Sequence, residues 1–511
     1  MSASQEKKAR ERAEREEKRL QQEKADRRAM TLYTVVGVVV VLAAIIMMVW
    51  SSGVIQRGMT AVEVGGEKFN AGDLQYYFSG AYNRQRDSYG MFPFNTTVSL
   101  KDQVYDQETG QSWHDYLVDQ AVHSLAADTA LAKRAASEGY TLSEAAQQEL
   151  DEYTTQLKNS RLVNGDQFIR ANYGPYMSFD QLLGLVQREI TASDYADAQA
   201  DKIDHPKADY DAYYSEHSNE LDTLTFSLFA FQARANATDA DGNPVQLTPE
   251  ATAAALEESK AEQSALAQEL LDKLSGGADP SALEEEYGDD LISTIQSRSA
   301  MGSTVSQYTY GDWLLDAARR PGDAELIESD TGSACYYYVV LFEGRELDKT
   351  PTANIRHILV GAELDSGADQ PTQAQYDAAY QEAQDLLDEW KAGQATEDSF
   401  AALATEHSAD TGSAQNGGLM ESVSATAGYV QTFTDWALDP SRRPGDTGIV
   451  QNTGSSTKGW HIMYYVGEND PIWEQVAAAQ LRNQDLENLD AQALEGMNVS
   501  TGTGVKFLTT P

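Results

Sequence analysis

The chain says one thing twice. "DWLLDAARRPGD" runs from Asp312 to Asp323, and "DWALDPSRRPGD" runs from Asp435 to Asp446, 123 residues later with nine of twelve letters the same. Around each copy the text follows one order. An apolar strand comes first, "LTFSLFAF" or "ANIRHILV". A long helix follows, "TPEATAAALEESKAEQSALAQELLDKLSGG" or "TQAQYDAAYQEAQDLLDEWKAG", and then a shorter one, around "SALEEEYGDD" or "SFAALATEHSAD". The repeated phrase and a closing strand, "YYYVVLFEGRE" or "WHIMYYVGEN", complete the set. Five elements matched in order are an internal repeat, and two copies indicate domain duplication and not a solenoid. The copies are expected at 221–348 and 352–470.

At 511 residues the chain has room for about three domains. No charged residue occurs from Ala29 to Gln56. Its core, "VVGVVVVLAAIIMMVW", spans a bilayer interior of ~30 Å once its uncharged flanks are added. Tyr33 and Trp50 stand near its ends, where aromatic rings favour the interface. Before it, Met1 to Met30 carry ten Lys/Arg and seven Asp/Glu and read as disorder or a loose helix. Arg27 and Arg28 place this 1–28 segment in the cytoplasm by the positive-inside rule, with the bulk of the chain outside. An uncleaved signal-anchor over 29–56 is therefore expected. A cleaved signal peptide is the rival, and "VWSSGVI" fits its small-x-small site poorly. Helical periodicity dominates 61–220, with Ser178 placed as a cap. The 471–511 tail carries one helix that needs a partner for its apolar stripe, and docking on the N-terminal helical domain is expected.

The net charge of −42 excludes general nucleic-acid binding, since phosphate is repelled. Cys335 is the single cysteine, so no internal disulfide can form, and its apolar setting "SACYYYVVLF" places it in a core. No HExxH, Walker loop or GxGxxG after a strand is present. Of seven histidines, His205 and His217 lie in polar text, His114 and His123 on amphipathic helices, and His407 at a polar helix end. His357 and His461 differ. Each interrupts an apolar strand, on the first and last strands of the second copy, so the two imidazoles can meet in one sheet. Asp410 in "HSADTGSAQNGG" either joins them or only ends a helix as an Asx turn. The first copy has no histidine between His217 and His357, and Leu228 and Tyr338 stand at about the two aligned positions.

"NIRHILV", "FAALATEHSADTGSAQNGGL", "FTDWALDPSRRPGDTGIV" and "GWHIMYYV" together resemble a parvulin-type peptidyl-prolyl cis-trans isomerase domain, over the whole second copy. The resemblance implies a four-stranded antiparallel sheet wrapped by helices. It implies a catalytic set His357, Asp410 and His461, and a proline pocket of Phe433, Leu419 and Tyr429, with Ser456 near the polar position before the last histidine. No cofactor and no metal are implied. The usual "GGDLG" reads "GGLME" here and the usual "GQM" reads "AGY", which alters the pocket rim. The wider order is similar to the extracytoplasmic foldases, the PrsA-like and SurA-like chaperones. The expected fold class is therefore α+β: one transmembrane helix, a helical chaperone-like domain, and two parvulin-like domains of which the first is degenerate. The expected function is prolyl isomerase and foldase for exported proteins at the outer face of a bacterial, Gram-positive, cell membrane. Its partners would be unfolded exported chains with X-Pro bonds, with a homodimer among the open assemblies. The alternative is a membrane-anchored holdase with little or no isomerase activity. Trp313 and Trp436 then read as scaffold anchors, and each Pro-Gly-Asp as a turn into the last strands.

Overall fold

The computed structural model describes residues 3–51, 53–89, 92–235, 247–366, 368, 370–452, 454 and 457–511. They form two compact units, Met1–Asp204 with Arg482–Pro511, and His205–Leu481.

The first unit begins with one helix, α1 (Ala3–Ser51). It is continuous through the charged stretch read from sequence as disorder or loose helix. Ala, Glu, Lys and Arg are strong helix formers, and neither Gly nor Pro interrupts them before Gly37. Met30–Trp50 is long and apolar enough to cross a membrane by length and composition. After α2 (Val54–Gly58) come β1 (Thr60–Val64) and β2 (Glu67–Asn70), joined at Gly65 and Gly66, both at positive φ. Helices α3 (Ala71–Tyr89), α4 (Trp113–Glu138), α5 (Glu144–Asn164), α6 (Gln167–Tyr173) and α7 (Phe179–Ala200) follow. The "NAGD" start of α3 is capped by Asn70, whose side-chain oxygen accepts from the Gly72 and Asp73 amides. Ser178 and Gln181 form a capping box at α7. The core holds Leu74, Phe78, Leu117, Leu125 and Leu182.

In the second unit α8 (Lys207–Leu221) leads into the first copy. This comprises β3 (Thr223–Arg234), α9 (Pro249–Ser275), α10 (Pro280–Tyr287), β4 (Ser293–Met301), α11 (Gly302–Val305), α12 (Gly311–Leu315), β5 (Ala324–Asp330) and β6 (Ala334–Glu346). The second copy comprises β7 (Thr352–Gly361), α13 (Gln373–Ala392), α14 (Glu397–His407), α15 (Thr411–Ala414), β8 (Leu419–Val423), α16 (Gln431–Ala437), β9 (Thr447–Asn452) and β10 (Gly459–Asn469). Then α17 (Ile472–Leu494) runs back into the first unit, where Leu486, Ala493 and Leu494 join Ala130, Leu131 and Tyr195. There Arg482 pairs with Asp197 and Asp201 at 2.8 and 2.6 Å. Finally β11 (Val499–Thr501) pairs with β1.

The two copies carry the same sheet, with orders β4-β3-β6-β5 and β8-β7-β10-β9, every pairing antiparallel. Strand alternation gives each sheet two buried faces. In the second copy, Ile358, Val360, Ile462 and Tyr464 pack under α13 and α14 with Trp390 and Phe400. Ala353, Ile355, Met463 and Tyr465 pack on the other face against Phe433 and Trp436 of α16.

The repeated phrase does the same work twice. Arg319 lies 4.7 Å from the Trp313 ring centroid and Arg442 lies 4.3 Å from that of Trp436. Each arginine also pairs with the last Asp of its "DWxLD", Asp316 or Asp439. The Gly322 amide donates to the Phe342 carbonyl at 2.8 Å, and the Gly445 amide to Tyr465 at 2.9 Å. Both glycines lie at positive φ, 98° and 94°. Phe342 and Tyr465 are thus equivalent positions, and in each copy the next residue, Glu343 or Val466, is a bulge left out of the pairing. A Cβ at Gly322 or Gly445 would meet open space, so only backbone strain opposes it. Gly322→Ala and Gly445→Ala are each expected to destabilise the chain by about 1–3 kcal/mol. Urea denaturation measures this, and a loss below about 0.5 kcal/mol would show that the turns tolerate a side chain.

Candidate active site

The site is built on the central pair of the second sheet. His357 of β7 faces Met463, and His461 of β10 faces Leu359. The two histidines are diagonal neighbours on one face of the sheet, within side-chain reach. Their Nδ1 atoms lie 3.0 Å apart, and both residues are buried, at 3% and 7% exposure. The Phe433 ring from α16 presents an edge-on contact to each, with centroids 5.5 Å from His357 and 5.1 Å from His461.

Asp410 does not end α14 but is the N-cap of α15, and its carboxylate reaches both the local turn and His357. One carboxylate oxygen, Oδ1, accepts from the Gly412 amide at 3.2 Å, which is the local turn. The other, Oδ2, lies 3.0 Å from His357 Nε2. Ser413 Oγ donates to the same oxygen at 2.6 Å and lies 2.9 Å from His357 Nε2. Ser413 is the contact that sequence reasoning missed. Its signal was its place three residues after Asp410, one turn along a helix start. The "NGG" turn holds the strand in place. The His357 amide donates to the Gly418 carbonyl at 2.9 Å, and a Cβ on Gly418 would sit 2.2 Å from the His357 oxygen.

Electrostatics fix the protons. Burial pushes the His357 imidazole below its ordinary pKa, and the nearby Asp410 opposes this only in part. Burial, with the adjoining His357, pushes His461 down to about 3. Burial acts to raise Asp410, but the Ser413 hydroxyl, His357 and the Gly412 amide outweigh it and hold the carboxyl below its usual value. Near neutral pH both rings are therefore neutral and Asp410 is charged. A carboxylate only accepts, so His357 donates from Nε2 to Asp410 and its Nδ1 is a lone pair. His461 must then donate from Nδ1 to His357, leaving its own Nε2 without a proton. The chain of donors runs one way, His461 to His357 to Asp410.

These groups open onto a cavity of about 600 Å³ whose lining includes Leu359, Met420, Tyr429, Val430, Phe433 and Asn452. Phe433 and Tyr429 both line it, with ring centroids 5.3 Å apart. Leu419 does not. It pairs with Arg356, on the face turned away from the histidines, while Met420 pairs with Ile355 and lines the cavity. A shift of one residue along a strand exchanges the faces, so the apolar position is Met420. Ser456 lies outside the described residues. His114, in the first unit, is half-buried with Nδ1 3.1 Å from Asp115, and His407 is exposed at the end of α14.

Residues 357–467 match the sequence family model of the PPIC-type PPIASE domain, the rotamases. This part of the chain is a parvulin-type peptidyl-prolyl isomerase domain. Parts of the chain are similar to solved structures of PrsA peptidylprolyl isomerases. That from Bacillus anthracis is 18% identical, with 32% of this chain and 63% of that chain covered and a TM-score of 0.18. That from Bacillus cereus is 17% identical, with 52% and 86% covered and a TM-score of 0.20. The chain thus spans just under two thirds of the first of these. No curated protein matches it. The other copy has the sheet of the isomerase domain without its polar site. By register from the equivalent Phe342 and Tyr465, Leu228 stands where His357 does and Tyr338 where His461 does. Tyr310 stands where Phe433 does, two residues before the repeated phrase, and its ring centroid lies 5.6 Å from that of Tyr338.

An unfolded histidine takes up a proton near 6.5, while folded His461 does so only near 3. Between these values the unfolded chain binds more protons. His461 therefore contributes full stability above pH 6.5, and this is lost as pH falls from 6.5 through about 3, by up to ~1.4 kcal/mol per pH unit. In histidine NMR titrations His461 is expected to stay neutral down to about pH 5, and His357 to titrate below its ordinary value. A midpoint near 6.5 for either ring would contradict the buried, one-way donor chain.

Proposed function

We propose that the chain is a membrane-anchored foldase that catalyses cis-trans isomerisation of X-Pro bonds in exported proteins. The observation that carries this reading is the buried His461–His357–Asp410 chain laid against Phe433 at the wall of the cavity.

Rotation about the X-Pro bond is opposed by amide resonance, with a barrier of ~18–20 kcal/mol. A catalyst must bind the twisted amide better than either planar form. Phe433, Met420, Leu359 and Tyr429 give the proline ring an apolar seat. With the ring held there, the acyl side turns about the bond. The planar amide is the more dipolar form, because resonance places negative charge on its oxygen. Moving it from water into a dry pocket raises its energy relative to the twisted form, which has lost that charge. The Asp410 carboxylate acts in the same sense, since it disfavours negative charge on a nearby carbonyl oxygen. The neutral histidine pair, hydrogen-bonded through its Nδ1 atoms, brings no cation that would stabilise the planar oxygen. No covalent intermediate enters this scheme, and Ser413 serves to hold the carboxylate.

The other parts of the chain have proposed roles consistent with this. Residues 29–56 anchor the protein, with 1–28 in the cytoplasm and the remainder outside. The helical region, 61–220 with the docked 471–511 segment, holds unfolded clients. The 221–348 copy, with Leu228 and Tyr338 in place of histidines, serves as scaffold or client contact without catalysis, and 352–470 is the isomerase.

A protease-coupled assay on a proline tetrapeptide tests the reading. The full chain is expected to accelerate isomerisation. His357→Ala and His461→Ala should each lower kcat/KM by at least tenfold, while suppression of aggregation of an unfolded client stays within twofold. Wild-type rates equal to the uncatalysed rate would sink the enzyme reading and leave the holdase alternative.

A further inference from the structure

The described residues that line the isomerase cavity carry one formal charge, the Asp410 carboxylate, once the two buried histidines are counted as neutral. The Asp410 side chain is 35% exposed, so the charge reaches the cavity mouth. Tyr429, also at the cavity, feels it: burial first and Asp410 second push its hydroxyl pKa up.

The domain around this charge is itself acidic. Residues 352–470 hold eighteen Asp/Glu and five Lys/Arg. None of the five cations lines the cavity. Arg356 lies on the opposite sheet face, bonded to Glu397 and to the Asn416 and Gly417 carbonyls. Arg442 covers Trp436 and pairs with Asp439. Arg443 donates to the Pro440 and Arg442 carbonyls. Lys391 sits in the last turn of α13, and Lys458 lies in the loop before β10.

We infer that this site selects X-Pro bonds by charge, favouring a cationic residue before proline and rejecting an acidic or phosphorylated one. The inference rests on the isomerase reading and deepens it. With the proline ring held in the apolar seat, the preceding side chain lies within several ångströms of Asp410, whichever way the acyl group turns. At such a distance, with partial solvent screening, one unit charge attracts a cation and repels an anion enough to separate Lys-Pro from Glu-Pro by about 5- to 30-fold in kcat/KM. A side chain with two negative charges is disfavoured further. Salt weakens the effect, because the screening length falls to about 3 Å at 1 M.

Thr411 offers a way to cancel the field. It is exposed, lines the cavity and follows Asp410 directly. The test uses the full chain in detergent micelles and four tetrapeptides with Lys, Leu, Glu or phosphoserine before proline, at low and high salt. The expected order is Lys, Leu, Glu, phosphoserine, with the Lys/Glu ratio about 5–30 at low salt and shrinking toward about twofold at 1 M. Thr411→Lys should reduce that ratio at least fivefold. Catalysis of all four peptides at rates within twofold would overturn the charge preference and leave the isomerase reading standing. Absence of catalysis on every peptide would overturn both.

Discussion

The antiparallel pairing of β7 with β10 is the constraint on which the rest of the site depends. It joins the first and last strands of one copy, more than a hundred residues apart in sequence, in a single register. That register sets His357 and His461 diagonally on one face and the apolar Ile358 and Ile462 on the other. A slip of β10 by one residue would turn His461 away from His357 and into the layer filled by Trp390 and Phe400. The cost of burying an imidazole among those rings, without a partner, protects the pairing as firmly as the apolar residues do. Phe433 from α16, and Asp410 and Ser413 from the start of α15, then complete the arrangement, and both short segments need the strand pair to be in place.

The duplicated sheet shows which features serve the fold and which serve the chemistry. The arginine laid on tryptophan, the glycine turn and the bulge at Glu343 or Val466 occur in both copies. The polar trio occurs in one. Tyr310 and Tyr338 take up the space of Phe433 and His461, so a ring pair replaces a ring and an imidazole at almost the same separation. The same sheet forms with either set, so its topology does not depend on the histidines. The opening phrase of the sequence, the best-preserved text in the chain, therefore marks scaffold.

Much of this was legible in the residues themselves, for identifiable reasons. Duplication is written in order and spacing, which survive where individual letters do not. His357 and His461 stood out because a polar, titratable ring inside an apolar strand needs a partner. What escaped was set by local backbone geometry. Leu419 and Met420 are both apolar, and only the pairing after the Gly417–Gly418 turn decides which one faces the histidines. Ser413 reads as one more small polar residue in a turn, and its contact with His357 depends on α15 forming there. The charged stretch before Met30 was read by its low content of large apolar residues, while its helix propensity decided its form in the structure.

The first unit is assembled from both ends of the chain. Its small sheet is β11-β1-β2, and its helices receive the end of α17. In a chain that emerges from its N-terminus first, β1 waits for a strand more than four hundred residues away. The duplicated unit is contiguous and has every pairing it needs as soon as it is out. It is an insert whose strand pairings are all its own, whereas the small sheet of the first unit is complete only once β11 has been made.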